Sequence, residues 1–179
     1  MWEHYNKYRV MKVFFDNPLP KGIDFQLREI SRKIKLAPKS VSIYLKELEK
    51  EGLILKGKHR FLGYPVYYAN RDSEMFKFYK KLDMIASINE TGLLDYLYDN
   101  LTPEAIILFG SASKGEDTSE SDVDIFVQSK ETKLELKKFE SLLNRRISIF
   151  FSKDFKSLSK ELKSNILNGV ILKGYLKVF

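Results

Sequence analysis

The sequence predicts an α+β protein in two parts: helices and a basic hairpin over residues 1–70, a connecting helix over 71–89, and a small mixed-sheet α/β domain over 90–179. Three observations carry this. Two amphipathic basic segments separated by a short link precede two β-branched and aromatic runs. The net charge of +7 is confined to one part of the chain: residues 1–70 hold 14 Lys/Arg against 7 Asp/Glu, and residues 71–179 hold 17 of each. Past residue 104, an apolar run ends in Gly-Ser and is followed by Asp-x-Asp inside a second apolar run. A chain of 179 residues has room for one domain or two small ones.

Composition narrows the function classes. With 44% hydrophobic and 31% charged residues the chain can bury a core. There is no Cys, which excludes disulfides and thiolate metal sites, and His4 and His59 alone make a poor zinc site. No apolar run approaches the roughly 18 residues of a membrane span. The opening Met1-Trp2-Glu3-His4-Tyr5 lacks the plan of a signal peptide, so a cytoplasmic protein is expected.

Tyr5 to Phe15 carries Tyr8, Met11, Val13 and Phe15 at helix-compatible spacing and stops at Asn17-Pro18-Leu19-Pro20, a strong breaker. Phe25 to Ile34 follows, with Leu27, Ile30 and Ile34 on one face and Arg28, Arg32 and Lys33 on the other. Lys35-Leu36-Ala37 leads to Pro38, well placed to begin a helix that runs to about Glu51 and ends at Gly52. Two runs, Leu53 to Lys56 and Tyr64 to Ala69, flank a basic loop starting Lys56-Gly57-Lys58-His59-Arg60 and read as a β-hairpin. Helix, turn, helix and basic hairpin make a winged helix.

A helix fits the major groove, and its early solvent-facing residues reach base edges. With Val41, Leu45 and Leu48 inward, the candidates on the second helix are Lys39, Ser40, Ser42, Ile43 and Lys46. Lys56, Lys58, His59 and Arg60 of the wing would meet phosphates or the minor groove, and Arg28, Arg32 and Lys33 the backbone. The expected partner is double-stranded DNA. If about five of these residues neutralise phosphates, affinity falls with salt at a slope near −0.9 per contact. The stretch Leu27-Arg-Glu-Ile-Ser-Arg-Lys-Ile to Ser40-Val-Ser-Ile-Tyr-Leu-Lys-Glu-Leu also resembles winged-helix transcriptional regulators of the MarR/ArsR type, over about residues 25–70.

Asp72-Ser73-Glu74 starts the connecting helix in the manner of an N-cap with acid in the first turn. Met75, Phe78, Leu82 and Ile85 form its apolar stripe, widened by Phe76 and Tyr79, and continue to Ile88. This stripe reads either as a spacer packed on both domains or, because two-fold operators favour dimeric readers, as the expected homodimer contact.

The most specific string is Ala105-Ile-Ile-Leu-Phe-Gly-Ser-Ala-Ser-Lys-Gly-Glu-Asp-Thr-Ser-Glu-Ser-Asp-Val-Asp-Ile-Phe-Val127. It reads as a buried strand, a tight Gly110-Ser111 turn, a short helix, a polar loop and a second strand from Asp122. Alternation puts Asp122 and Asp124 on one face and Val123, Ile125 and Val127 on the other. Two carboxylates about 7 Å apart on one face repel unless a cation lies between them, and hard oxygen ligands favour Mg²⁺. Backbone N–H groups after Gly110, the Ser111 hydroxyl and Lys114 suit the phosphates of ATP or another NTP.

This string resembles the minimal nucleotidyltransferases of the polymerase-β-like superfamily, over about residues 90–179. The resemblance implies that Gly110 and Ser111 hold the triphosphate and that Asp122 and Asp124 bind catalytic Mg²⁺. It also implies a third carboxylate on the next core strand, which here is Arg146 to Phe151, reached after a helix over 133–143. With Ile147, Ile149 and Phe151 inward, Ser148 takes the place of that acid. A hydroxyl is no general base near neutral pH and supplies no negative charge to a metal. A different register would offer Glu140 or Asp154 instead. The tail packs Leu158, Leu162, Ile166 and Leu167 before Gly169 to Gly174, as the closing helix and strand of such domains do.

The leading expectation is a DNA-binding transcriptional regulator whose second domain binds nucleotide and Mg²⁺ or serves as a scaffold, with impaired catalysis. The alternative is an active Mg²⁺-dependent enzyme moving a nucleotidyl group from an NTP onto a protein or small molecule. The resemblance also allows a small helical toxin-type protein as partner.

Overall fold

The computed structural model describes residues 5–16 and 24–178, and it divides into two units, Met1–Lys80 and Lys81–Phe179. The breaker at Asn17-Pro18-Leu19-Pro20, like His4, lies outside the described residues.

In the first unit, α1 (Tyr5–Asp16), α2 (Leu27–Ile34) and α3 (Pro38–Lys50) precede β1 (Ile54–Lys58) and β2 (Pro65–Ala69). Apolar residues at three- and four-residue spacing all turn inward: Phe14, Ile30, Val41, Leu45 and Leu48 are fully buried in one cluster. Lys35 caps α2 in the left-handed region at φ 54°, where its N–H reaches the last carbonyls, and Pro38 opens α3 at its first turn. The sequence places Phe25 in α2, but its backbone exchanges hydrogen bonds of 2.8 and 2.9 Å with Tyr67 of β2. A residue bonded as a strand cannot open a helix, so α2 starts two residues later. The wing is also longer in strand than expected. Lys56, Gly57 and Lys58 pair with Tyr67, Val66 and Pro65, so only residues 59–64 form the tip.

The helix α4 (Glu74–Glu90) starts beyond Ser73, whose hydroxyl accepts the Phe76 N–H at 3.4 Å. Its expected stripe is rotated. Phe76 is buried in the core of the first unit and Ile88, with Met84 partly buried, in that of the second, whereas Met75, Phe78 and Leu82 lie 49%, 45% and 37% exposed.

The second unit adds α5 (Leu93–Leu101), β3 (Ala105–Phe109), β4 (Val123–Val127), α6 (Lys137–Leu143), β5 (Ile147–Phe151), α7 (Lys160–Leu167) and β6 (Val170–Gly174). The sheet order is β5-β4-β3-β6, with β4 and β5 parallel and the other pairs antiparallel. Alternation along the strands feeds two cores. Ile106, Leu108, Val123, Ile125 and Val127 join α5 and Phe139 on one face. Ala105, Ile107, Phe109 and Phe126 join Phe155 and Ile166 on the other. The helix expected over 133–143 begins only at Lys137; ahead of it the Glu135 N–H donates to the Tyr96 hydroxyl at 3.0 Å. No helix among the described residues is long and apolar enough to cross a membrane.

Candidate functional site

β3 is buried at every residue and is followed by Gly110, whose φ of +71° only glycine adopts without strain. A second constraint acts on the same atom position. A Cβ on Gly110 would strike the carboxylate of Asp124, because β3 and β4 pair with Phe109 opposite Asp124. The Gly-Ser turn and the Asp-x-Asp strand are thus in contact, though 14 residues apart in sequence. The turn closes on itself. Ser113 Oγ donates to the Gly110 carbonyl at 2.8 Å. The N–H groups of Lys114 and Glu116 donate to the Ser111 carbonyl at 3.1 and 3.0 Å. The expected short helix is one 3₁₀ turn, Ala112–Lys114, with Lys114 exposed.

Asp122 stands one residue before β4 and Asp124 inside it; both are half-buried. Partial burial, then the charge of Asp122, push the Asp124 carboxyl above its ordinary range. Ser148 pairs with Asp124 across the parallel β4–β5 ladder, and its hydroxyl donates to Asp122 Oδ2 at 3.2 Å. Ser148 thus lies on the face that alternation along this strand leads one to expect. Glu140 and Asp154 each accept a backbone N–H, Glu140 from Ile147 at 3.1 Å and Asp154 from Lys156 at 2.9 Å. Among the described residues no group of three or more His, Cys, Asp or Glu is arranged to hold a metal. The donor set present, two carboxylates and a hydroxyl, still fits one Mg²⁺, which takes one or two carboxylates and completes its shell with phosphate and water oxygens.

In the first unit, α3 turns Lys39, Ile43 and Lys46 outward, with Ser40 and Ser42 half-buried on its flanks. Arg28, Arg32 and Lys33 are exposed on α2, as are Lys56, Lys58 and Arg60 on the wing; His59 is half-buried. The wing is tied to the start of α2 by the Phe25–Tyr67 bridge and by Gln26 Nε2, which donates to the Tyr64 hydroxyl at 2.8 Å.

A family model described as winged helix-turn-helix DNA-binding matches residues 26–54, which span α2, α3 and the start of the wing. A second, described as polymerase beta, nucleotidyltransferase, matches residues 92–176. The chain joins a winged helix-turn-helix domain to a nucleotidyltransferase domain. No curated protein and no solved structure matches it.

The nucleotidyltransferase domain contains a pair that sequence reasoning missed. Asp117, 1% exposed at its side chain, lies 3.3 Å from Arg145, 9% exposed. Arg145 also donates to the Thr118 carbonyl and, at 3.4 Å, to that of Ser121. One guanidinium therefore gathers the loop that delivers Asp122. Beside it a cleft of about 430 Å³ is lined by Ser119, Glu120, Ser121, Asp122, Glu140, Asn144, Arg145 and Arg146. The two partners are 28 residues apart and no local pattern links them. In the winged helix the overlooked residues are Phe61 and Leu62, whose signal was an apolar pair inside an otherwise basic turn.

Proposed function

We propose that the protein is a DNA-binding transcriptional regulator whose nucleotidyltransferase domain binds an NTP with Mg²⁺ and transfers little or nothing. The observation that carries the second half is Ser148. It sits in register beside Asp124 and bonded to Asp122, where transfer chemistry calls for a carboxylate. The first half is supported by the winged-helix match and by the concentration of positive charge in residues 1–70.

In this reading the N–H groups of the Gly110-Ser111 turn, with the Ser111 hydroxyl and Lys114, hold the phosphates. Asp122 and Asp124 hold the metal, which when bound offsets charge on the phosphate oxygens. Ser148 keeps Asp122 aimed without adding charge. Lys39, Ser42, Ile43 and Lys46 face the major groove, and Lys56, Lys58 and Arg60 the flanking backbone. A homodimer is part of the proposal, with exposed Met75 and Phe78 of α4 as contact; a monomer in sedimentation at tens of micromolar would remove it.

The test is thermal unfolding with and without millimolar ATP and Mg²⁺. Ligand at a hundredfold over its dissociation constant adds about 2.7 kcal/mol to the native state. A metal-dependent rise in Tm, absent in Asp122→Asn/Asp124→Asn, with no label transferred from NTP, is expected. No rise with any NTP would make the domain a scaffold. A second reading, active transfer, draws on the cleft beside Asp122, which has room for an acceptor. Robust label transfer by the wild-type protein, lost in the same variant, would establish it instead.

A further inference from the structure

The wing ends in a feature that neither phosphate contact nor major-groove reading uses. Phe61 and Leu62 are 83% and 71% exposed at its tip. A solvent-facing turn gains nothing from two large apolar side chains, yet this one is built to present them. The His59 N–H donates to the Tyr64 carbonyl at 2.9 Å and the Gly63 N–H to the His59 carbonyl at 3.0 Å. Gly63 takes a φ of +68° to make that closure. His59 Nδ1 accepts the N–H groups of Phe61 and Leu62 at 3.4 and 3.3 Å, while its ring stacks on Tyr64 at 4.6 Å. Tyr64 is in turn fastened to Gln26. The two side chains thus stand on a turn closed by backbone and ring contacts.

Their surroundings select the partner. From Gly52 to Arg71 there is no acidic residue, while Lys56, Lys58 and Arg60 flank the tip. The Arg60 guanidinium lies 5.6 Å from the Phe61 ring. Two apolar residues ringed by cations are too small a patch for a protein interface of ordinary size. They match a polyanion with an apolar interior, the stacked bases of duplex DNA. The minor groove, about 6 Å wide, excludes a helix but admits a turn and its side chains.

We propose that the wing tip is a wedge: Phe61 and Leu62 enter the minor groove and unstack one base step, while Lys58 and Arg60 hold the phosphates on either side. Inserted apolar side chains kink duplexes by about 20–90°. Pyrimidine–purine steps unstack most readily, so the wedge would add sequence preference outside the half-site read by α3. This rests on the DNA-binding reading, and the experiment separates the two.

Full-length protein is used to select a duplex from a random-sequence pool. That duplex is then labelled at its ends for energy transfer and carries 2-aminopurine at the wing-facing step. Wild-type protein is expected to shorten the end-to-end distance and raise the 2-aminopurine fluorescence. Phe61→Ala/Leu62→Ala, at exposed positions that leave the core intact, loses both signals and about tenfold in affinity. Its salt dependence stays that of the wild type, since no phosphate contact is removed. Lys58→Ala/Arg60→Ala instead reduces the slope of log K against log salt by about 1.8, two contacts at 0.9 each. Tight wild-type binding to a straight, stacked duplex would overturn the wedge alone. So would DNA binding unchanged in Phe61→Ala/Leu62→Ala accompanied by loss of self-association, which assigns the pair to a contact between copies. Recovery of no duplex at low salt would overturn the DNA reading and the wedge with it.

Discussion

In the winged helix the residues proposed to read DNA stand outward from a finished core, whereas in the nucleotidyltransferase domain the proposed ligands are part of the packing. Lys39, Ile43 and Lys46 project from the face of α3 opposite Val41, Leu45 and Leu48, and none of those three core residues is exposed at all. Gly110, Asp122, Asp124 and Ser148, by contrast, touch one another directly or through one neighbour. A surface reader can therefore be altered side chain by side chain with little effect on the fold. A site woven into its sheet couples binding to stability.

The largest expected effect tests that coupling at Arg145. Removing one member of a buried ion pair leaves the other charge stranded, which costs about 3–5 kcal/mol. Arg145→Met should lower the unfolding free energy of the nucleotidyltransferase domain, read from urea titration, by that much, and Asp117→Ala/Arg145→Met by less than the sum of the single changes. A loss under about 1 kcal/mol would show the loop to be set by something else. Next in size is a matched pair of glycines. Gly110→Ala forces a side chain into the left-handed region and onto Asp124, for about 2–4 kcal/mol. Gly63→Ala has a similar φ, +68°, but nothing within 4 Å of the added atom, so it should cost only about 1–2 kcal/mol. Equal losses, read from urea unfolding of each unit, would erase the contrast between the two regions.

Much of this was legible in the sequence because periodicity reports which side of an element is buried. The three-and-four spacing in α3 separated Val41, Leu45 and Leu48 from the outward lysines. Alternation along β5 puts Ser148 on the polar side with Asp122 and Asp124, and only the β4–β5 ladder pairs it with Asp124. What was missed depends on partners distant in the chain. Phe25 reads as helix until Tyr67 claims its backbone. Lys56 to Lys58 read as loop because glycine and lysine are weak strand formers, and the β2 ladder overrides that preference. The stripe on α4 was drawn through Met75, Phe78 and Leu82, since an apolar helix with two candidate faces does not announce which meets a core. Asp117 and Arg145 are ordinary surface residues by type, and only the fold buries them together.

A smaller effect is expected on α3, where the surface reading is sharpest. Lys39→Ala/Lys46→Ala should leave the unfolding free energy of the winged helix within about 0.5 kcal/mol of wild type, as exposed substitutions do. If both lysines meet phosphates, the slope of log K against log salt falls by about 1.8. An unchanged slope would move the phosphate contacts to α2 and the wing. Ile43→Ala removes no charge, so it should change preference among duplexes and leave the slope alone.

The smallest effect is electrostatic and lies inside the nucleotidyltransferase domain. Burial and the neighbouring Asp122 raise the Asp124 carboxyl above its ordinary value of 3.8, so its ionised form opposes folding near neutral pH. The native state then binds this proton at a higher pH than the unfolded chain does. Stability from this group rises as pH falls through the raised value, and the gain is complete below the ordinary one. Asp124→Asn, neutral throughout, should be the more stable protein at pH 7, by no more than about 1 kcal/mol because the carboxylate is partly open to water. The gap should narrow as pH falls from 7 and close below that ordinary value in paired urea titrations. Millimolar Mg²⁺ with ATP should reverse its sign at pH 7, because only the wild type keeps both carboxylates for the cation. If the asparagine variant were the less stable at pH 7 without metal, the carboxylate would be serving the fold, and the region would behave as scaffold.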